Sequence, residues 1–341
     1  MPSVRSKEIR FKSLPQGMPH AGNFELAEID VPEPKAGEFL VRNIWMSVDP
    51  YMRGRMMERE SYIPPFRIGK ALQGGAIGQV IASQNDHFKV GDYVESMLGW
   101  REYFLSDGTA IAKVDPSRGP IEAYLGVLGM PGLTAYVGLT KIAQLKDGEN
   151  VFVSAASGAV GAVVCQMAKA RGCYVVGSAG SDEKCAWLEK EAGIDKAINY
   201  KTCGDLDKAI GDAFPNGIDV AFENVGGAHL EAAINHMNFF GRIVLCGMIA
   251  DYNSPAPAPG PRNLMLVVGK SLKLEGFIVM NHYHLFPEFH AEMGKLIAAG
   301  KIKWKETIED GIEKAPQAFL KLFSGANFGK MLVRLGPDPA V

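Results

Sequence analysis

Apolar and polar positions alternate differently in the two parts of this chain. In the first part, β-forming and apolar residues cluster in short runs at 39–48, 75–82 and 91–97, separated by Gly, Asp and Pro, which reads as strands joined by turns. Short strands of this kind predict a small barrel or sandwich. Gly74, Gly75 and Gly78 would let such strands bend tightly or approach one another closely. From about Pro131 strands and helices alternate. Residues 150–154 form a short apolar run, a Gly-rich turn follows, and 162–170 reads as a helix. A strand at 173–177 leads to a helix opening at Ser181, a plausible N-cap. Further strands are expected at 196–199, 218–223 and 241–247, a helix at 286–299, mixed structure from Ile302, and a last strand at 330–335. Strands recurring with helices between them predict an α/β fold with a parallel, doubly wound Rossmann sheet. The run Asn253-Ser254-Pro255-Ala256-Pro257-Ala258-Pro259-Gly260-Pro261 can be neither helix nor central strand and is expected to be a lid or a mobile loop.

Length and charge narrow the picture. A chain of 341 residues exceeds one comfortable core, so two domains are expected. A formal net charge of -2 without a Lys/Arg run marks neither nucleic acid nor an anionic membrane as a partner. The polar, basic start Met1-Pro2-Ser3-Val4-Arg5-Ser6-Lys7 does not read as a secretory signal, and no segment reaches bilayer-spanning length. Five cysteines, at 165, 173, 185, 203 and 246, lack CxxC spacing and read as free thiols of a cytoplasmic protein.

The turn Ala155-Ala156-Ser157-Gly158-Ala159-Val160-Gly161 is A-x-G-x-x-G, with Ala156 where the dinucleotide fingerprint has its first Gly. Gly158 would admit a pyrophosphate close to the backbone, and Gly161 would let the helix pack on the strand. The helix start would offer N–H groups and positive dipole to phosphate. The competing reading is a tight strand–helix turn that binds nothing, which its place in a βαβ unit disfavours. An NAD site expects an acid at the end of the second strand. Here that strand ends in Gly177-Ser178-Ala179-Gly180, Lys184 lies one helical turn beyond, and Tyr200 follows the third strand. Asp182 competes as the acid but reads as a helix-start residue. The cofactor expected is NADPH.

These motifs resemble the medium-chain dehydrogenase/reductase superfamily, in its branch of prostaglandin reductases, alkenal double-bond reductases and bacterial curcumin reductases. The likeness spans nearly the whole chain. It rests on Val48-Asp49-Pro50-Tyr51-Met52-Arg53, Gly129-Met130-Pro131-Gly132-Leu133-Thr134-Ala135-Tyr136, the Gly-rich turn, Gly177-Ser178-Ala179-Gly180-Ser181, Glu223-Asn224-Val225-Gly226-Gly227, Cys246-Gly247-Met248-Ile249 and Asn327-Phe328-Gly329-Lys330. The resemblance implies a GroES-like catalytic β-barrel from residues 1–125 completed by 301–341, a Rossmann domain at 126–300, and a homodimer. It also implies that Lys184 and Tyr200 hold the 2′-phosphate. Met130, Thr134, Asn224, Val225 and Asn327 would contact the cofactor, with Gly180, Cys246, Gly247 and Gly329 in the same motifs.

Zinc dehydrogenases of this superfamily need a first-domain Cys and a Gly-His-Glu block. Here no Cys precedes Cys165, and the block reads Leu72-Gln73-Gly74-Gly75-Ala76-Ile77-Gly78. Carbonyl reduction would lose its Lewis acid, so reduction of a conjugated double bond is expected, with hydrogen-bond donors stabilising the enolate. Tyr252, just beyond a strand's C-terminal end, matches the branch's proposed catalytic tyrosine, which can instead hold the nicotinamide ribose. Tyr62 is a second candidate, for which packing is an equal reading. Tyr51 is a pocket candidate, with Asp49 and Arg53 holding its loop. His282, in His282-Tyr283-His284 with His290 nearby, is expected to line the substrate pocket or a subunit contact, not to bind a metal. An NADPH:quinone reductase and a non-enzymatic NADPH-binding protein remain as alternatives.

Overall fold

In the computed structural model, residues 3–256 and 258–337 are described. Met1 and Pro2 of the polar N-terminus and Pro257 of the proline-rich run lie outside the described residues. The chain divides into two compact units, one from residues up to Leu125 together with those from Glu306, the other from Gly126 to Lys305.

The first unit begins with a hairpin of β1 (Val4–Phe11) and β2 (Phe24–Val31), antiparallel in register from Val4↔Val31 to Phe11↔Phe24. The main sheet follows with β3 (Phe39–Ser47), β4 (Ala76–Ser83), β5 (Tyr93–Ser96), β6 (Tyr103–Ser106) and β7 (Ala112–Val114). Register shifts at Leu40/Val41 and Asn43/Trp45 bend β3 against β4. A β-carbon on Gly78 would lie 2.5 Å from Val41 Cγ1 and 2.7 Å from the Arg42 carbonyl oxygen. Close strand approach therefore requires glycine there, as the sequence suggests.

The second unit contains β8 (Asn150–Val153), β9 (Tyr174–Ala179), β10 (Lys196–Asn199), β11 (Ile218–Glu223), β12 (Met237–Leu245) and β13 (Lys273–Gly276). Every neighbouring pair is parallel, and the order is β10-β9-β8-β11-β12-β13. Counted within the unit this is 3-2-1-4-5-6, the Rossmann order, which reverses between β8 and β11. Helices Leu206–Ala213 and Gly227–His236 bury Ile210, Ala213, Leu230, Ala233 and Ile234 with Phe152, Val176, Ala221 and Ile243 of the strands. β12 starts at Met237, earlier than the expected 241, and its expected last residues Cys246 and Gly247 lie beyond it. The described residues of the proline-rich run are neither helix nor strand.

The chain then completes the first unit. β14 (Glu306–Asp310) and β15 (Lys330–Arg334) pair in parallel, and β15 joins β3, giving the order β14-β15-β3-β4-β5-β7 with β6 also on β3. The boundary falls after Lys305, where 300 was expected. Phe24 stacks on Trp100 at 5.9 Å, Phe319 meets both rings edge-on, and Met46, Met52 and Met331 complete this core.

Candidate functional site

The carboxyl ends of β8 and β11 flank the point where the strand order reverses, the position at which open α/β sheets gather ligands. Ala155 takes a positive φ of 47°, so the sharp turn out of β8 falls on this residue and Ala156 needs no glycine freedom. Ala156 is fully buried, and a β-carbon on Gly177 would lie 2.5 Å from its methyl. Alanine fits the first fingerprint position because Gly177 makes room for it. On Gly161 a β-carbon would sit 2.4 Å from the Ala155 carbonyl oxygen and 2.8 Å from Ala156 Cα; the helix Gly161–Ala170 can only approach β8 with glycine here. On Gly158 it would meet one atom, the Ala155 carbonyl oxygen at 3.2 Å. The protein's own packing thus leaves Gly158 open on its outer side. Ser157 is buried beside it, and no side chain caps the helix that follows Ala159 and Val160; the Ala162 and Val163 N–H groups donate to the Gly158 and Val160 carbonyls at 3.0 and 3.1 Å.

Across the reversal, Glu223 ends β11 with no exposed surface. Its Oε1 accepts from the Ser154 hydroxyl at 2.6 Å and from the Val225 and Gly226 N–H groups at 2.6 and 2.8 Å. Ser154 Oγ in turn accepts the Asn224 N–H at 2.8 Å, and Asn224 Nδ2 donates to the Ser154 carbonyl at 2.8 Å. Burial pushes the Glu223 carboxyl above its ordinary range. This network locks the ends of β8 and β11 together and sets the backbone of Asn224 and Val225. Motif reading places Asn224-Val225 but does not reach the Ser154–Glu223 pair, whose members lie 69 positions apart.

β12 ends beside it. The Cys246 and Gly247 N–H groups donate to the Glu223 carbonyl at 2.9 and 3.1 Å, and burial raises the Cys246 thiol to about 12, which keeps it unreactive. Tyr252 folds back so that its hydroxyl would lie 3.1 Å from a β-carbon on Gly247, and it accepts the Met248 N–H at 3.4 Å. Burial raises its pKa above the ordinary tyrosine value. The phenol is therefore neutral at physiological pH and keeps its own proton to donate.

At the end of β9 the expected N-cap is present, Ser181 accepting the Lys184 N–H at 3.3 Å. Tyr200 and half-buried Lys184 both follow Gly180 in sequence; the Tyr200 hydroxyl lies 2.8 Å from a β-carbon placed on Gly180, and Lys184 sits in the first turn of the helix Asp182–Lys190. Asp182 is bound by Asn199 Nδ2 at 2.7 Å.

The remaining residues are tied into local structure. Thr134 is buried and donates to the Met130 carbonyl at 2.7 Å within the helix Met130–Val137. A β-carbon on Gly132 would collide with the Val127 carbonyl oxygen at 2.1 Å, which gives the Gly129–Tyr136 motif a packing role. His282 lies between Phe277 and His284, at centroid distances of 6.4 and 6.2 Å, and His290 is bonded to the Leu128 carbonyl at 2.8 Å. In the first unit, buried Asp49 is paired with Lys330 Nζ at 3.0 Å and bonded to Ser47, so the Val48–Arg53 and Asn327–Lys330 motifs are stapled together. Asn327 Nδ2 donates to the Gly329 carbonyl at 2.9 Å, and Gly329 has a φ of 67°. Arg53 holds the Gly17 carbonyl at 2.8 Å. Tyr51 and the half-exposed Tyr62 both lie near the Arg55 guanidinium, which covers the Phe66 ring at 4.2 Å and donates to Gln73 Oε1 at 2.7 Å. Gln73, in the block where zinc dehydrogenases have Gly-His-Glu, is thus committed to Arg55, a residue outside the motifs.

Residues 7–114 match the family described as the N-terminal domain of oxidoreductase, and residues 159–298 match the zinc-binding dehydrogenase family. An NADP-dependent 2-alkenal reductase of Nicotiana tabacum is 43% identical over 98% of this chain and 99% of its own length. The NADPH-dependent curcumin reductase of Escherichia coli is 42% identical over 98% of both chains. This chain belongs to the medium-chain dehydrogenase/reductase superfamily. The crystal structure of CurA from Vibrio vulnificus in complex with NADPH superposes with a TM-score of 0.92 at 40% identity, covering 97% of this chain and all of that one. Membership of the superfamily agrees with the Rossmann strand order and with a second, mainly β unit.

Proposed function

We propose that the protein is a zinc-independent, NADPH-dependent reductase of the carbon–carbon double bond in α,β-unsaturated aldehydes and ketones. The observation that carries this reading is Tyr252, a neutral phenol folded back over Gly247 just beyond the end of β12, the strand next to β11. The similarity to 2-alkenal and curcumin reductases supports the substrate class.

The chain's residues fit the cofactor: Gly158 is left open by the protein's own packing, whereas Gly161 is not. Ser157 to Gly161 and the uncapped helix start would hold the pyrophosphate, Gly180, Lys184 and Tyr200 the ribose 2′-phosphate, and Met130, Thr134, Asn224, Val225, Cys246 and Gly247 the nicotinamide half. NADPH, when bound, supplies the hydride that reaches the β-carbon. Tyr252 would donate a hydrogen bond to the carbonyl oxygen as enolate charge develops, the role of an oxyanion-hole donor. Ser154 and Glu223 hold Asn224 and Val225 in place. His282 is assigned to the substrate pocket. For Tyr51, Tyr62, Asn327 and Gly329 the assignment to substrate and cofactor rests on the resemblance, as does the identity of the first unit as a GroES-like catalytic domain.

We further infer a cytoplasmic homodimer. No helix among the described residues is long and apolar enough to cross a membrane. β13 is an edge strand, and Phe239, Phe240, Met265 and Val268 are each at least 70% exposed. The Phe240 N–H bonds the Lys270 carbonyl at 2.8 Å, which brings these residues to one region. An uncovered edge with apolar neighbours favours association, and light scattering in solution tests it.

The activity test is a panel of 2-alkenals, enones and quinones with NADPH and NADH. The expected result is NADPH oxidation with a saturated carbonyl product. Turnover of quinones alone would replace the proposal with a quinone reductase, and NADPH binding without turnover would replace it with a binding protein.

A further inference from the structure

The corner assigned to the 2′-phosphate contains more than Lys184 and Tyr200. A β-carbon on Gly180 would lie 2.8 Å from Tyr200 Oη and 3.2 Å from Lys201 Cε. Both side chains therefore fold over the end of β9, at the place where the adenosine ribose of a dinucleotide rests in this strand order. Lys184 approaches from the following helix. Its ammonium is pushed below the ordinary lysine range, first by burial and then by the charge of Lys201, which shows two cations sharing one neighbourhood.

Asn199 builds this arrangement. Its Oδ1 accepts the Lys201 N–H at 3.1 Å while its Nδ2 donates to Asp182 Oδ1 at 2.7 Å. Its carbonyl also closes a tight turn by accepting the Thr202 and Cys203 N–H groups at 3.1 and 2.9 Å. One side chain thus fixes the backbone from which Lys201 projects and bonds the Asp182 carboxylate, while the charge of Glu183 acts on Lys184. Lys201 forms no salt bridge with a carboxylate among the described residues. Behind Tyr200, the buried His229 ring packs edge-on at 5.1 Å. Burial lowers the His229 pKa to about 4, so the ring acts as a neutral buttress.

We propose that Lys201 is a specificity-determining residue, the second cation that, with Lys184 and the Tyr200 hydroxyl, selects a ribose carrying a 2′-phosphate. Two like charges held together beside a glycine, with a tyrosine hydroxyl over it, form a seat for a dianion. The inference rests on the NADPH reading, and the test separates the two.

Calorimetric titration of the full chain with 2′,5′-ADP and with 5′-ADP reads the corner without turnover. Lys201→Met is expected to weaken 2′,5′-ADP about tenfold, near 1.4 kcal/mol, and to leave 5′-ADP binding unaltered. Lys201→Arg should restore most of the loss, and the salt dependence of 2′,5′-ADP binding should become shallower in Lys201→Met. If Lys184→Met weakens 2′,5′-ADP but Lys201→Met does not, Lys201 has no part in selection while the cofactor reading stands. An equal loss for both nucleotides in Lys201→Met would also overturn the proposal, because the residue would then support the fold. A wild-type protein that binds 5′-ADP as well as 2′,5′-ADP would overturn the NADPH reading itself.

Discussion

Two regions at the carboxyl edge of the parallel sheet are built on opposite principles. Where β8 meets β11, Ser154, Glu223 and Asn224 are bonded to one another and to backbone, and Glu223 is wholly enclosed. Where β9 meets β10, Lys201 is exposed, Tyr200 is 36% exposed, and positive charge gathers around a glycine. The first region fixes backbone geometry and has little tolerance for change. The second presents charge to solvent and can be altered with small cost to the fold. Positioning and discrimination are thus divided between neighbouring strand ends, and substitutions should separate them.

The largest effect belongs to the packed region. Gly161→Val would drive side-chain atoms into the Ala155 carbonyl and Ala156 Cα, backbone that cannot swing aside. A destabilisation of about 3 kcal/mol is expected, the upper part of the overpacking range, read as a lower midpoint in urea unfolding together with loss of NADPH binding. Gly158→Ala, by contrast, should fold normally and weaken NADPH alone. Equal destabilisation by both would break the distinction between a glycine that packs and one that admits the cofactor.

Tyr252→Phe comes next. Removing a hydroxyl that stabilises developing charge should lower kcat on a 2-alkenal by roughly 100-fold, with the Kd for NADPH, followed by fluorescence, little altered. An unchanged kcat would eliminate Tyr252 as donor. A rise in Kd with unchanged kcat would assign it to the ribose.

Glu223→Gln probes the interior lock through pH. A carboxyl with a folded pKa above its unfolded value of about 4.5 stays protonated in the native protein while the unfolded chain ionises. Its stabilising contribution is complete below pH ~4.5 and declines as pH rises through the interval above it. Glutamine has the same shape and does not titrate. Its Oε1 keeps the three accepted bonds, and its amide nitrogen replaces an Oε2 that has none among the described residues. The variant should therefore stay within about 1 kcal/mol of wild type near pH ~5 and gain on it toward pH ~8. Parallel stability curves would show that Glu223 is ionised when folded.

The same contrast governs what was legible in the sequence. β11 falls where its apolar run places it, because a strand inside a parallel sheet is buried on both faces, and the edge strand β10 keeps its expected range although only Ile198 is buried. β1 and β2 carry charges along their length, with only some positions buried, and so give no apolar run to read. β12 extends back to Met237 because Asn238, Phe239 and Phe240 continue the strand through a register shift and a φ of 63° at Phe240, neither of which leaves a local pattern. The Gly-rich turn was readable since its spacing is local. The Ser154–Glu223 bond and the approach of Lys201 to Lys184 arise from strand order, which brings residues together that no motif links.

The smallest effect is expected at Tyr200. Its hydroxyl lies over Gly180, and its ring rests against His229, so Tyr200→Phe keeps the buttressed ring and removes one donor. The loss should be about 1 kcal/mol or less, the net value of one hydrogen bond at a partly exposed site, equivalent to roughly a fivefold rise in KM for NADPH. KM for NADH should be unaltered, since NADH has no group for this hydroxyl to hold. Removal of the ring in Tyr200→Ala should affect both cofactors, because His229 then loses its partner and the turn at Asn199 its cover. If Tyr200→Phe shifts NADH as much as NADPH, the hydroxyl serves the strand end itself, and discrimination at this corner falls to the lysines.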